Sequence, residues 1–231
     1  MAHSLTPFQA LLDRLAQMDN RVGYSCGRKL KRRLLAASRA AFDARVARLG
    51  PGDICLDLGA NIGEFTQILA RTGATVHAYE PDPETFATLR ANVGRAANVV
   101  LHQKAVGARP GTVQLRRTLA YAEDRARQSQ ASSVYFDAPE TFGGATIAVE
   151  QVGFREVLAA LPKPAALIKM DIEGAEFDIL DDIFDGGMPA NMDALFVETH
   201  EGFALDRLPA LRRHQRVAMA LEQPYINLYW P

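Results

Sequence analysis

The chain has 231 residues, 48% of them hydrophobic, enough to bury one full core and so to build one active site. Its formal net charge of -1 lacks the basic excess of a protein that grips a phosphate backbone, which ranks nucleic acid low among partners. Two cysteines, Cys26 and Cys55, are too few for a disulfide framework, no apolar run matches a membrane span, and the N-terminus has charged helical spacing rather than a signal peptide; these features point to a reducing, cytoplasmic compartment.

Apolar residues recurring at three and four predict helices over Thr6–Met18 and Gly27–Leu49. Between Arg21 and Arg48, the cations Arg21, Arg28, Lys29, Lys31, Arg32, Arg33, Arg39, Arg45 and Arg48 face a single acid, Asp43. A solvated helix face accounts for this pattern, with a site for an acidic or phosphorylated substrate as the alternative. Gly50-Pro51-Gly52 stops the second helix, so residues 1–50 form an N-terminal helical extension to a domain at 51–231.

Past that stop, strands over Asp53–Leu58, Thr75–Tyr79 and Asn98–Gln103 alternate with helices over Glu64–Arg71 and Pro83–Asn92. Strands at Thr112–Arg116 and Thr146–Val152 flank a polar, aperiodic segment, Leu119–Gly144, which reads as an insertion near the site. Alternation resumes with a helix at Phe154–Leu161, a strand at Ala165–Met170, a helix at Ala175–Phe184 and a strand at Asp193–Glu198. A helix at Leu208–Leu221 and a strand at Tyr225–Tyr229 finish the chain. The fold class is therefore α/β: a doubly wound, mostly parallel Rossmann-like sheet with N-terminal helices.

In such a sheet the ligand sits outside the carboxyl ends of the strands, which directs attention to the turn Asp57-Leu58-Gly59-Ala60-Asn61-Ile62-Gly63. Its glycines are spaced GxxxG and lack the second glycine of GxGxxG, which lets a backbone approach a pyrophosphate. Asp57 would repel a pyrophosphate but attract the ammonium and sulfonium of S-adenosylmethionine (SAM), so charge sign favours SAM over a nicotinamide cofactor. Gly59 would let the backbone run against the cofactor and Gly63 would let the next helix pack on its strand; a tight turn with no ligand is the alternative. Glu80, before Pro81, follows at roughly the 20-residue interval at which an acid reaches the ribose hydroxyls. Gln103 and Ala105, after the third strand, are expected over the adenine, and Ala60 and Phe65 complete the cofactor set.

The segment Lys169-Met170-Asp171-Ile172-Glu173-Gly174-Ala175-Glu176 closes a strand and opens a helix, so Asp171 and Glu173 reach the same crevice. A helix cap would explain Asp171 or Glu173, and a favourable first-turn charge would explain Glu176. At the end of the next strand, Glu198-Thr199-His200-Glu201 places an imidazole at the neighbouring rim as a candidate base.

Taken together, these blocks resemble the FkbM family of SAM-dependent methyltransferases. Asp57-Leu58-Gly59-Ala60-Asn61-Ile62-Gly63 is similar to its D-[VL]-G-A-N-x-G turn, Tyr79-Glu80-Pro81 to its ribose acid, and Lys169 to Glu176 to its K-[IM]-D-[IV]-E-G-A-E segment. The resemblance covers about Gly52 to Glu201. It implies a seven-stranded methyltransferase-like sheet, SAM as donor, and methylation of a hydroxyl on a sugar or other small molecule. The chain after His200 is short for the last two strands of such a sheet.

The expected chemistry is an in-line displacement in which the protein aligns oxygen, carbon and sulfur and removes the hydroxyl proton, with Asp171 or His200 as base and Glu173 beside them. A variant gives Asp171, Glu173 and His200 to a divalent metal and ranks below the metal-free site. Expected partners are a small-molecule hydroxyl acceptor and a second copy of the chain in a homo-oligomer. An RNA methyltransferase and a non-catalytic SAM-binding subunit are the competing functions. The basic segment from Arg21 to Arg48 lacks the interleaved aromatics that would stack bases, and the complete acidic block speaks against a non-catalytic role.

Overall fold

The computed structural model describes residues 5–18, 20–117, 146–202 and 204–230. The expected insertion Leu119–Gly144, with Ser132 and Ser133, lies outside the described residues. Two helices open the chain, α1 (Pro7–Ala16) and α2 (Arg21–Val46). The first starts on a capping box in which Thr6 and Gln9 exchange side-chain and backbone hydrogen bonds. The second begins well before Gly27, because the Asn20 side chain accepts from the backbone N–H groups of Val22 and Gly23 and so satisfies orphan donors of the first turn.

The α/β alternation follows as β1 (Ile54–Leu58), α3 (Glu64–Ala70), β2 (Thr75–Tyr79), α4 (Pro83–Val93) and β3 (Val99–His102). Three strands come next, β4 (Ala105–Gly107), β5 (Gly111–Arg116) and β6 (Thr146–Gly153). The chain then forms α5 (Phe154–Ala159), β7 (Leu167–Met170), α6 (Glu176–Gly186), β8 (Ala194–Glu198), α7 (Leu208–Ala220) and β9 (Tyr225–Trp230).

Six of the strands make one all-parallel sheet in the order β3-β2-β1-β7-β8-β9. Among the described residues this sheet has six strands, where the resemblance implies seven: after β8 a single further β/α step follows, and β9 pairs parallel with β8. A second sheet, β4-β6-β5, arises because the stretch after β3, to which the sequence assigns no strand, pairs with Gln151–Gly153. Counted in chain order, the large sheet runs 3-2-1-4-5-6, and its order reverses between β1 and β7.

Strand periodicity sorts the core into two layers. Leu56, Leu58, Ile168, Met170 and Val197 face α5, α6 and α7, where Phe154, Phe177, Ile183 and Leu211 meet them. On the opposite face Cys55, Leu167, Phe196 and Trp230 pack with Leu69 of α3 and Phe42 of α2. The Phe42 ring stands 4.2 Å from that of Trp230 and 5.3 Å from that of Phe196. Ser38 of α2 also donates to the buried Asn227 side chain of β9 at 3.0 Å, so α2 is fastened to the sheet by packing and by a polar contact. Among the described residues no helix is long and apolar enough to cross a membrane.

Candidate active site

A cavity of about 330 Å³ opens at the carboxyl ends of the strands, across the point where the strand order reverses. Gly59, Ala60, Asn61 and Phe65 reach it from the turn after β1 and from α3; Glu80 and Pro81 reach it from the end of β2, and Ala105 from β4. Asp171 and Glu173 enter from the end of β7, and His200 from the end of β8. The fold thus brings the expected cofactor and acceptor residues to one cavity, with Asp57, Gly63 and Gln103 outside it.

Asp57 is displaced by strand parity. It shares the face of Cys55, lies fully buried beneath the turn and accepts from Thr66 Oγ1 of α3 at 2.6 Å. Its register partner across the β1–β7 pair is Lys169, whose ammonium lies 3.4 Å from Asp57 Oδ1 and 3.4 Å from Asp171 Oδ2. The same ammonium donates to the Gly59 carbonyl at 2.7 Å. Burial pushes the Asp57 carboxyl up, against the pull of Lys169. Burial alone would push the Lys169 ammonium down, but Asp171 and Asp57 outweigh it and hold it above its ordinary value. Asp57 is therefore a strut of the site, correcting the expectation that it meets the cofactor's positive charge directly.

The two turn glycines also answer to protein atoms. A Cβ on Gly59, at φ +77°, would sit 1.7 Å from the Asp171 carbonyl oxygen, so the close approach there is between the ends of β1 and β7. A Cβ on Gly63, at φ +95°, would press on Leu89 and Val93 of α4. Gln103 points to solvent, and its neighbours Lys104, Ala105 and Val106 line the cavity instead.

The N–H groups of this turn are used internally. Those of Gly59 and Ala60 donate to the Tyr79 carbonyl at 3.0 and 2.8 Å, that of Asn61 to Glu80 Oε2 at 3.0 Å, that of Ile62 to its neighbour's Oδ1 at 2.7 Å, and that of Gly63 to the Ala60 carbonyl at 2.9 Å. The anion cradle of a dinucleotide turn is thus filled by the protein's own acceptors, although the strand order is that of a dinucleotide-binding sheet. Glu80 is oriented by the same network, since its Oε1 accepts from the Asp82 N–H at 2.9 Å. Burial pushes its carboxyl up to about 7 despite these two hydrogen bonds.

The opposite wall is crowded with charge. His200 Nδ1 donates to Glu176 Oε1 at 2.9 Å, and Nε2 lies 3.3 Å from Glu173 Oε2 and 3.6 Å from Asp171 Oδ1. Glu176 is fully buried and also accepts the backbone N–H groups of His200 and Gly174, at 3.0 and 2.7 Å. Its function is to anchor His200, more than the first-turn charge that sequence suggests. Burial alone would push the imidazole down, but the hydrogen bond to Glu176 and the charges of Glu176, Glu173 and Asp171 raise it to about 10. Burial lifts Glu173 to about 8 against the pull of His200. An imidazole raised in this way holds its proton more tightly than a free histidine, which favours Asp171 over His200 as the group that receives the hydroxyl proton.

The ligand atoms of Asp171, Glu173 and His200 all lie within 4.8 Å of one another, near enough for one cation to reach all three. Sequence reasoning missed Lys169 as a functional residue. Its signal was a lysine facing an aspartate at the ends of two strands, legible once their pairing is known.

A family model described as the methyltransferase FkbM domain matches residues 57–214. The chain is 30% identical over 202 residues to 31-O-demethyl-FK506 methyltransferase FkbM of Streptomyces tacrolimicus, a match that covers 76% of both chains. It is 30% identical over 154 residues to Methyltransferase 1 of Beauveria bassiana, covering 58% of this chain and 60% of the relative. Hexuronic acid methyltransferase AglP of Haloferax volcanii is 30% identical over 151 residues, covering 65% of this chain and 57% of the relative.

Proposed function

The chain belongs to the FkbM methyltransferase family, and from that premise we propose that it transfers the methyl group of SAM to a hydroxyl oxygen of a small molecule, a sugar or glycoconjugate precursor. The observation that carries this reading is one cavity with a buried, pre-oriented carboxylate, Glu80, on one wall and Asp171 on the other. One relative is named for an O-demethyl acceptor and another for a hexuronic acid, which supports oxygen as the receiving atom.

The cavity suits the donor. A volume of about 330 Å³ lies in the range of small-ligand pockets, and Phe65, Tyr79 and Val106 give it apolar walls. Each Glu80 oxygen takes one backbone N–H and keeps a lone pair for a ribose hydroxyl. When bound, SAM supplies an electrophilic methyl group on a sulfonium. Asp171 would accept the proton of the acceptor hydroxyl. Lys169 and His200 act as positioning residues, fixing the Asp171 carboxylate from two sides.

Calorimetric titration with S-adenosylhomocysteine tests the reading, with NAD as control. Wild type is expected to bind S-adenosylhomocysteine and not NAD, and Glu80→Ala to bind it about a hundredfold more weakly, two charge-assisted hydrogen bonds being lost. Binding of NAD in its place would overturn the reading. A second version, favoured by the proximity of Asp171, Glu173 and His200, puts a divalent cation there to acidify the acceptor hydroxyl, with Nε2 deprotonated as its ligand. Full activity in a chelator removes that version.

A further inference from the structure

Helix α2 has no part in the chemistry above, yet it reaches the active-site rim. Lys31 Nζ donates to the Thr199 carbonyl at 2.9 Å and to its hydroxyl at 3.2 Å, and pairs with Glu201 at 3.2 Å. Thr199 and Glu201 flank His200, so this one lysine pins the helix to the segment that carries the imidazole. Beside the pin lies a second cleft, of about 440 Å³, in which Tyr24, Arg28, Arg32 and Leu35 of α2 face Thr199 and Gly202. Positions 24, 28 and 32 are four apart and share one face of the helix.

The charges in this cleft are not balanced. Lys31 is spent on Glu201, whereas Arg28 and Arg32 are exposed and make no ion pair among the described residues. The Arg28 guanidinium lies 5.8 Å from the centre of the Tyr24 ring. The main cavity mixes both signs, with Asp171, Glu173 and Glu198 beside Lys104, Lys169 and His200 on its wall. An acceptor that carries a negative group is attracted to two guanidinium forks across the His200 segment.

We propose that the cleft between α2 and the segment 199–202 is the anion subsite of the acceptor. It holds a carboxylate or phosphate on Arg28 and Arg32 while a hydroxyl of the same molecule meets Asp171. The proposal rests on the methyl-transfer reading and narrows its substrate class to acidic acceptors, with paired guanidinium hydrogen bonds as the means of recognition.

The test is titration of the protein, loaded with S-adenosylhomocysteine, with glucuronate, glucose 6-phosphate and glucose. At least one anion is expected to bind about tenfold or more tightly than glucose, the two anions separating carboxylate from phosphate, and added salt to weaken it. The double variant R28Q/R32Q should lose that preference and R28K/R32K keep part of it, both binding S-adenosylhomocysteine as wild type does. Equal binding of glucose and the anions, or a preference that survives R28Q/R32Q, overturns the subsite while the methyl-transfer reading stands. Failure of wild type to bind S-adenosylhomocysteine overturns both. A single-stranded RNA oligonucleotide bound more tightly than either anion, and through the same arginines, would assign them to nucleic acid and overturn the subsite.

Discussion

The turn after β1 and the turn after β7 meet at the same cavity and carry the same kinds of residue, an acid at a strand end with glycine close behind, but they use them in opposite ways. In the first turn Asp57 is held by Thr66 and Lys169, and the backbone N–H groups are paired with carbonyl and side-chain oxygens. In the second, Asp171 and Glu173 crowd a single imidazole and stay partly accessible to the cavity. Paired polar groups set a shape, and crowded ones are held close enough to act on one another's charge. Lys169 belongs to both turns and joins the rigid one to the reactive one.

The largest expected effect comes from breaking that junction. Lys169→Met should cost about 3–5 kcal/mol in urea denaturation, because it leaves the fully buried Asp57 without its cation. Adding Asp57→Asn should recover part of the loss. A Lys169→Met protein as stable as wild type would mean that the first turn does not depend on the pair.

Next comes the chemistry of the second turn. Asp171→Asn should lower kcat by roughly 10²–10⁴, the range of a removed general base, and leave S-adenosylhomocysteine affinity within a small factor of wild type. Equal losses of binding and turnover would remove the division between the two turns.

The smallest effect is a pH dependence. Between about 6.5, the ordinary histidine value, and about 10, the folded protein keeps a proton on His200 that the unfolded chain has released. The stability this contributes is complete below the lower value and lost as pH rises through the upper one. Glu173, at about 8, adds a decline in the same direction that begins near the ordinary carboxyl range. Melting temperature should therefore fall on going from pH 6.5 to 10, and His200→Gln should flatten the upper part of that slope. An unchanged slope in the variant would place the protonation elsewhere.

Much of this was legible in the sequence because it is local. The β1 turn, the interval to Glu80 and the acidic block after β7 are contiguous strings or fixed spacings, and each lands at the cavity. What was not legible depends on pairing between distant segments. The role of Lys169 follows from its register opposite Asp57. The upward shift of the His200 imidazole follows from Glu176 on another element. Gln103 and Asp57 illustrate parity: in extended chain neighbouring residues face opposite ways, so a correct strand still misplaces a side chain if its face is unknown. The early start of α2 rests on the cap at Asn20, which precedes a stretch with Gly23 and Gly27 that argues against a helix.

The turn with its N–H groups already committed has a consequence for selectivity in a mixed solution. On the methyl-transfer reading proposed above, the donor shares adenine and ribose with the energy-carrying nucleotides of any cell, and a site that read only the nucleoside would be filled by them. A phosphate needs donors, and along this turn those of Gly59, Ala60, Asn61, Ile62 and Gly63 are engaged. The same bonds that hold the loop in shape leave these N–H groups no capacity for a phosphate, so on the proposed reading this turn gives phosphorylated look-alikes no cradle.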